Sequence, residues 1–446
     1  MRRITRYASM LMVMAILLAA ISACAAPVAA PSGAAEPAAP GEAAAPAAGE
    51  VSFEFWHIQT STPELLQNAV DRFMADNPGV SVEVVPLQND PYKTKIKVAM
   101  GAGNPPCVFP TWGGGPLYEY IQAGQVVDIT DFMQQDGYVD RFVPASLSNV
   151  TFDGKVWGVP VENSAIAVVW YNKTIFEELG LEPPATWDEL LAIVDTLNEN
   201  DIAPFAMANK TKWPSSMFYM YLVDRLAGPE VFAGAATRSG GTFEDPVFVE
   251  AGQMIQDLVN RDGFVEGFNG LDIDTGQSRQ LLYAGKAAME LMGSWQISTM
   301  RAENPEWVAA NLAFFPFPAI EGGMGDPSNV VGTVGDNFYS ISSVCPYPDE
   351  AFKMIQYLID DASVAERGAA GRIPPVVGFT TDDPMLQGII DLIGNAASVQ
   401  LWYDQYLPPE LGEVHKDTMQ ALFGLEITPE QAAAAHEEAA VKFFGQ

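Results

Sequence analysis

The sequence predicts an α/β fold, a mostly parallel sheet with helices on both faces. Three observations predict it: strand-like and helix-like signals alternate from Val51 onward, caps and stop residues punctuate the helical stretches, and 446 residues are enough chain for two sizeable cores. A composition that is 48% hydrophobic excludes a largely disordered chain.

Val51, Phe53 and Phe55 alternate with Ser52 and Glu54, the period of a strand. Thr62-Pro63 reads as a cap and first-turn pair, followed by Leu65, Leu66, Ala69, Val70 and Phe73 at helical spacing. Asn77-Pro78-Gly79 ends that helix, residues 81–87 form a second strand, residues 92–100 a helix, and Val108-Phe109 opens a third strand ending at Trp112. Residues 156–161 and 165–171 read as two further strands, and Thr186-Trp187-Asp188-Glu189 is a capping box opening a helix. Later helices are expected from Asp245-Pro246, over residues 277–284 and 349–358, and after the Thr428-Pro429-Glu430-Gln431 cap, with a strand over residues 287–292. No internal repeat is present.

The first fifty residues stand apart. Arg2, Arg3 and Arg6 precede an apolar run over residues 10–21, too short for a membrane span of about 20 residues and suited to a signal peptide. Ile21-Ser22-Ala23-Cys24 resembles a bacterial lipobox, which implies lipidation of Cys24 and anchorage to the cell membrane; the alternative is an ordinary signal cut near Ala26. Residues 24–50 are nearly all Ala, Pro, Gly and Glu, a composition that cannot offset its ordering entropy, and read as a disordered tether. The body beyond it is expected to be extracytoplasmic.

A net charge of −33 argues against nucleic acid as a partner. In an oxidising compartment Cys107 and Cys345 can form a disulfide or remain two buried thiols. With only His57, His415 and His436 beside them, they give no zinc site. No cofactor is expected.

Val159-Pro160-Val161 followed by Trp170-Tyr171-Asn172-Lys173 resembles the crossover and following strand of family 1 extracellular solute-binding proteins of ABC importers. Phe176-Glu177-Glu178-Leu179-Gly180, Pro183-Pro184 with the Thr186 cap, residues 283–289, and Gly293-Ser294-Trp295 continue the pattern in order. The resemblance implies a periplasmic-binding-protein-like type II fold: two lobes, each with a mixed, mostly parallel sheet flanked by helices, joined by hinge crossovers. Residues 51–161 and 319–371 would form lobe one, residues 162–318 and 372–446 lobe two, with crossings near Pro160-Val161, residues 315–318 and Arg372-Ile373-Pro374. It also implies a sugar ligand, a membrane permease as partner, and a monomer without enzymatic activity. Thr111-Trp112-Gly113-Gly114-Gly115 is similar to members that bind oligosaccharides.

Ligands of open α/β sheets sit beyond the carboxyl ends of strands. Trp56 with His57, Trp112, and Trp295 just past Gly293 close three predicted strands. An indole offers the apolar face of a pyranose a flat surface, and charged or amide side chains suit its hydroxyl rim. Gln59, Glu162, Asn163, Asp336, Asn337 and Arg372 lie near strand ends or crossovers and supply such groups. Trp213 resembles an aromatic loop of the second lobe, and Trp402 a late aromatic segment near the cleft. Trp157, Trp170, Trp187 and Trp307 are assigned to packing. The Asp272-Ile273-Asp274 run lacks the rest of a calcium loop and reads as solvated.

No Gly-x-Ser-x-Gly elbow and no phosphate loop is present. The alternatives are a lipid-anchored glycoside hydrolase using two carboxylates, which 56 acidic residues leave open, and a binding protein for a non-sugar ligand.

Overall fold

The computed structural model describes residues 51–445. The signal, Cys24 and the tether lie outside the described residues. Among those described, no helix is long and apolar enough to cross a membrane.

The strands are β1 (Val51–His57), β2 (Val80–Pro86), β3 (Val108–Thr111), the short pair β4 (Thr151–Phe152) and β5 (Lys155–Val156), β6 (Val159–Asn172), β7 (Ala203–Phe205), β8 (Ala287–Gly293), β9 (Leu312–Phe315), β10 (Val330–Ile341) and β11 (Val399–Gln400). One mixed sheet runs in the order β2-β1-β3-β10-β6-β8-β7, with β11 beside β10 and β9 beside β6. Its parallel pairs are β1–β2, β1–β3, β7–β8 and β10–β11. The joints at its centre are antiparallel: β10 with β3 and β6, and β6 with β8 and β9.

The helix Glu64–Asp76 buries Leu65, Leu66, Ala69, Val70 and Phe73, the stripe its spacing requires. Thr62 departs from expectation: the helix begins without a side-chain cap, and the Thr62 hydroxyl instead accepts from Arg372. Both other caps form as expected, Thr186 reciprocally with Glu189 and Thr428 with Gln431. Asn172, at the end of β6, caps the next helix by accepting from the Thr174 and Ile175 N–H groups.

β6 is one 14-residue strand where two were expected. Glu162, Asn163 and Ser164 interrupt its apolar run and read as a break, yet they are buried and stay in the sheet, with Asn163 opposite Asp336. Val159 and Val161 pack in one core with Phe55, Val108 and Tyr339. Residues 166–170 pack in the largest core, with Phe315, Phe317, Val330 and Val331. β10 makes the same passage in reverse, ending with Tyr339 and Ile341 in the first of these cores. The pair therefore runs between two hydrophobic interiors, and a polar stretch of each strand marks the passage. The pairing register shifts on both sides of Asp336, where Gly335 (φ +80°) and Asn337 (φ +51°) take left-handed conformations. Phe317 and Val330 share one core, so the passage lies inside β10 and not near residues 315–318.

Cys107, just before β3, is bonded to Cys345, just after β10, with Cα atoms 4.7 Å apart. Trp170 and Trp187 are core residues, and Trp157 and Trp307 pack against the cores as expected.

Candidate ligand-binding site

A cleft of about 460 Å³ opens beside the polar passage of β6 and β10, within the usual range of about 300–1,000 Å³ for small-molecule sites. Gln59, Trp112, Asn163, Trp213, Trp295, Asp336, Arg372 and Trp402 line it. Trp56, His57 and Glu162 do not.

The aromatic wall follows from two local devices. Gly293 ends β8, and a Cβ there would overlap the Trp295 indole; its absence lets the ring fold back over the strand end. Ser294 fixes the turn, its N–H donating to Ile166 O at 2.8 Å and its hydroxyl accepting from Ile166 N at 3.2 Å. Trp213 lies 6.1 Å from Trp295 at 55°, and Trp402 meets Trp295 edge-on at 5.5 Å. Trp402 is itself only 3% exposed, so it backs Trp295 more than it faces the cleft.

Trp112 stands past the end of β3 in another wall. Tyr92 packs edge-on to it at 5.8 Å, and the Lys93 ammonium sits 5.3 Å from its ring centroid. A Cβ on Gly114 or Gly115 would collide with the Gln405 or Leu407 carbonyl, so these glycines let this loop close against the chain around Gln405.

Charged groups form the floor. The Arg372 Nη2 donates to Gln59 Oε1 at 2.6 Å and to Thr62 Oγ1 at 2.9 Å, and its Nη1 to Glu162 Oε2 at 3.4 Å. Glu162 also accepts from the Tyr339 hydroxyl at 3.0 Å and lies 3.7 Å from Arg367 Nε. Glu162 is 1% exposed and sits beneath the floor, holding Arg372. Asn163 Oδ1 accepts from Ile373 N at 2.7 Å, tying β6 to the segment that follows Arg372. Burial pushes Asp336 up to about 7, with the Glu162 charge adding to the rise; the Asn337 N–H and Arg372 oppose it.

Trp56 and His57 correct the expectation drawn from the end of β1. Trp56 packs among Tyr92, Ile96 and Met100, with Lys95 4.0 Å above its ring and its N–H given to Glu54. His57 points to the opposite face, beside Phe55, where burial lowers it to about 4 and keeps it neutral. Both lie within the strand, so the pleat commits one ring to each core, and the residues beyond its end, Ile58, Gln59, Thr60 and Ser61, reach the cleft.

The Asp272-Ile273-Asp274 loop also departs from expectation. Ile273 is buried, Asp272 pairs with Lys210, and Asp274 lines the cleft and accepts from the Asp90 N–H at 3.4 Å. Burial raises Asp274, and nearby Asp90 adds to it. Sequence reading also missed Arg279 with Glu303, an ion pair in the wall at 2.7 Å, and Asp404 with Gln405. Adjacency to Trp402 in the sequence is the one signal that pointed toward the last two. The Trp213 Nε1, Asn337 Oδ1 and Gln405 Oε1 atoms are buried at this cleft without a partner. Among the described residues no group of side chains is arranged to hold a metal ion.

A mixed sheet feeds two cores, and the cleft lies at the passage between them. The chain belongs to the bacterial extracellular solute-binding protein family, whose model matches residues 59–365. It is 23% identical to the multiple sugar-binding protein of Streptococcus mutans over 69% of this chain and 71% of the relative. A structure from work on xylan utilization by the thermophilic bacterium Caldanaerobius polysaccharolyticus superposes with a TM-score of 0.82 at 29% identity, covering 87% of this chain and 99% of that one. A chitin oligosaccharide binding protein superposes with a TM-score of 0.82 at 26% identity, covering 88% and 98%.

Proposed function

We propose that this chain captures a sugar or short oligosaccharide between its two lobes and delivers it to the permease of an ABC importer. The observation that carries the reading is the convergence of Trp112, Trp213 and Trp295 on one cleft that also holds Asp336, Asn163 and Arg372. Indoles take the C–H faces of pyranose rings, and the buried polar groups take hydroxyls. The relatives named for multiple sugars and for chitin oligosaccharides support the same class.

The first lobe comprises residues 51–161 with residues 338–371 and the stretch around Val376, which packs with Phe142 in the first core, and the second comprises residues 162–332 with the rest of residues 372–446, because Val330 and Val331 pack with the second core. Hinge motion through β6, β10 and the Arg372 segment would bring the walls together, and a ligand touching both shifts the population toward closure. The protein acts without catalysing a reaction, as a monomer, held to the membrane by a lipid on Cys24.

The test is a thermal-shift screen of the purified body against mono- and oligosaccharides, since a ligand of the native state raises the apparent midpoint. At least one sugar is expected to raise it and to be recovered unchanged. A flat panel defeats the sugar reading, and hydrolysis at enzyme-like rates defeats the importer reading. Membrane fractionation of a Cys24→Ser variant tests the anchor: release from the membrane is expected.

A further inference from the structure

A second, smaller recess opens behind Trp112. It measures about 70 Å³ and shares Lys93, Trp112, Asp404 and Gln405 with the main cleft, so Trp112 stands in the wall of both. At about 15 Å³ for each water-sized group, it holds roughly five such groups, which is too few for a pyranose ring and enough for a small substituent. Most of its surface is apolar, from Ile96, Pro110, Pro116 and the rings of Tyr92, Trp112 and Tyr120, while Lys97, Thr111, Glu119, Glu413 and Lys416 also stand in its wall. The Tyr92 hydroxyl is already given to the Pro110 carbonyl at 2.5 Å, so it offers the recess only its ring. Three polar groups stand in the wall common to both cavities: the Lys93 ammonium, which lies beside Trp112 and 3.4 Å from Asp90, the Asp404 carboxylate, and Gln405, whose Oε1 is buried and unpartnered.

We propose that this recess is a subsite for the acetamido group of an N-acetylated amino sugar whose ring lies in the main cleft. The inference rests on the sugar reading above and narrows it. An acetamido group has the three features that the recess matches. Its methyl suits the apolar interior, its carbonyl oxygen accepts from an ammonium such as that of Lys93, and its N–H donates to an acceptor such as Gln405 Oε1. A hydroxyl in its place leaves the apolar part unfilled. A free amine brings its charge toward Asp404 but has nothing to bury there.

The experiment compares ligands of one backbone by titration calorimetry on the wild-type body: N-acetylchitobiose and N-acetylchitotriose, the cello-oligosaccharides of equal length, and the de-N-acetylated chito-oligosaccharides. The acetylated series is expected to bind at least about tenfold more tightly than either other series. Gln405→Leu, with an unchanged melting midpoint, is expected to shrink that ratio. Equal or weaker binding of the acetylated series overturns the subsite, as does a ratio unmoved in the variant. If none of the three series binds while another sugar of the panel does, the subsite falls and the sugar reading stands. If no sugar binds at all, both fall.

Discussion

The Trp295 indole occupies the space in which a side chain on Gly293 would stand. Gly293→Ala is therefore expected to push the ring off the wall it shares with Trp213 and Trp402. Trp295→Ala is expected to abolish the sugar-induced thermal shift, and Gly293→Ala to weaken sugar binding about tenfold or more, with near-native circular dichroism in both. An undiminished shift in Trp295→Ala removes that residue from the site.

Asp336 makes stability depend on pH in a stated direction. Its folded value is about 7, against about 3.9 for an exposed aspartate. Between these values the folded chain keeps a proton that the unfolded chain has released, so this group lowers stability as pH rises from about 4 to about 7. The full difference corresponds to up to about 4 kcal/mol. Asp336→Asn abolishes the titration, so the variant's melting midpoint relative to wild type is expected to be higher at pH 8 than at pH 5. An equal offset at both pH values contradicts the assignment.

Arg372 and Glu162 are 3% and 1% exposed and bonded to each other. Removing one partner of a buried pair costs about 3–5 kcal/mol, because the other is left charged and desolvated. Arg372→Met is expected to lose stability of that order in urea unfolding, and, because Glu162 also faces the buried Arg367, Arg372→Met with Glu162→Gln to lose less than the sum of the two single changes. Additive losses would show that the two do not act as a pair.

The Cys107–Cys345 bond closes a span of 238 residues. Restricting so long a loop in the unfolded chain is worth about 2–5 kcal/mol. Reductant, or Cys107→Ser with Cys345→Ser, is expected to lower the urea midpoint by a matching amount. An unchanged midpoint under reductant would show that the bond contributes nothing.

Much of this was legible locally. The periodicity of residues 65–73, the two capping boxes and the glycine-flanked tryptophans each depend on neighbours within a few positions, so the sequence displays them. What was not legible depends on distant partners. Glu162, Asn163 and Ser164 look like a loop until β10 pairs with them. Asp274 looks solvated until Asp90 approaches it. Trp56 and His57 illustrate the finest limit: where a strand meets a cleft, a shift of one or two residues decides between core and wall, and hydrophobic alternation does not fix that boundary.

The position of β10 in the sheet has a consequence for biosynthesis. β3 pairs with β1 on one edge and with β10 on the other, and β10 is made long after both. A nascent chain that has reached only β9 leaves the β3 edge unpaired and Cys107 without its mate. The amino-terminal half is therefore not a unit that can finish folding as it emerges, and a truncation before residue 341 is a candidate for strand-edge aggregation.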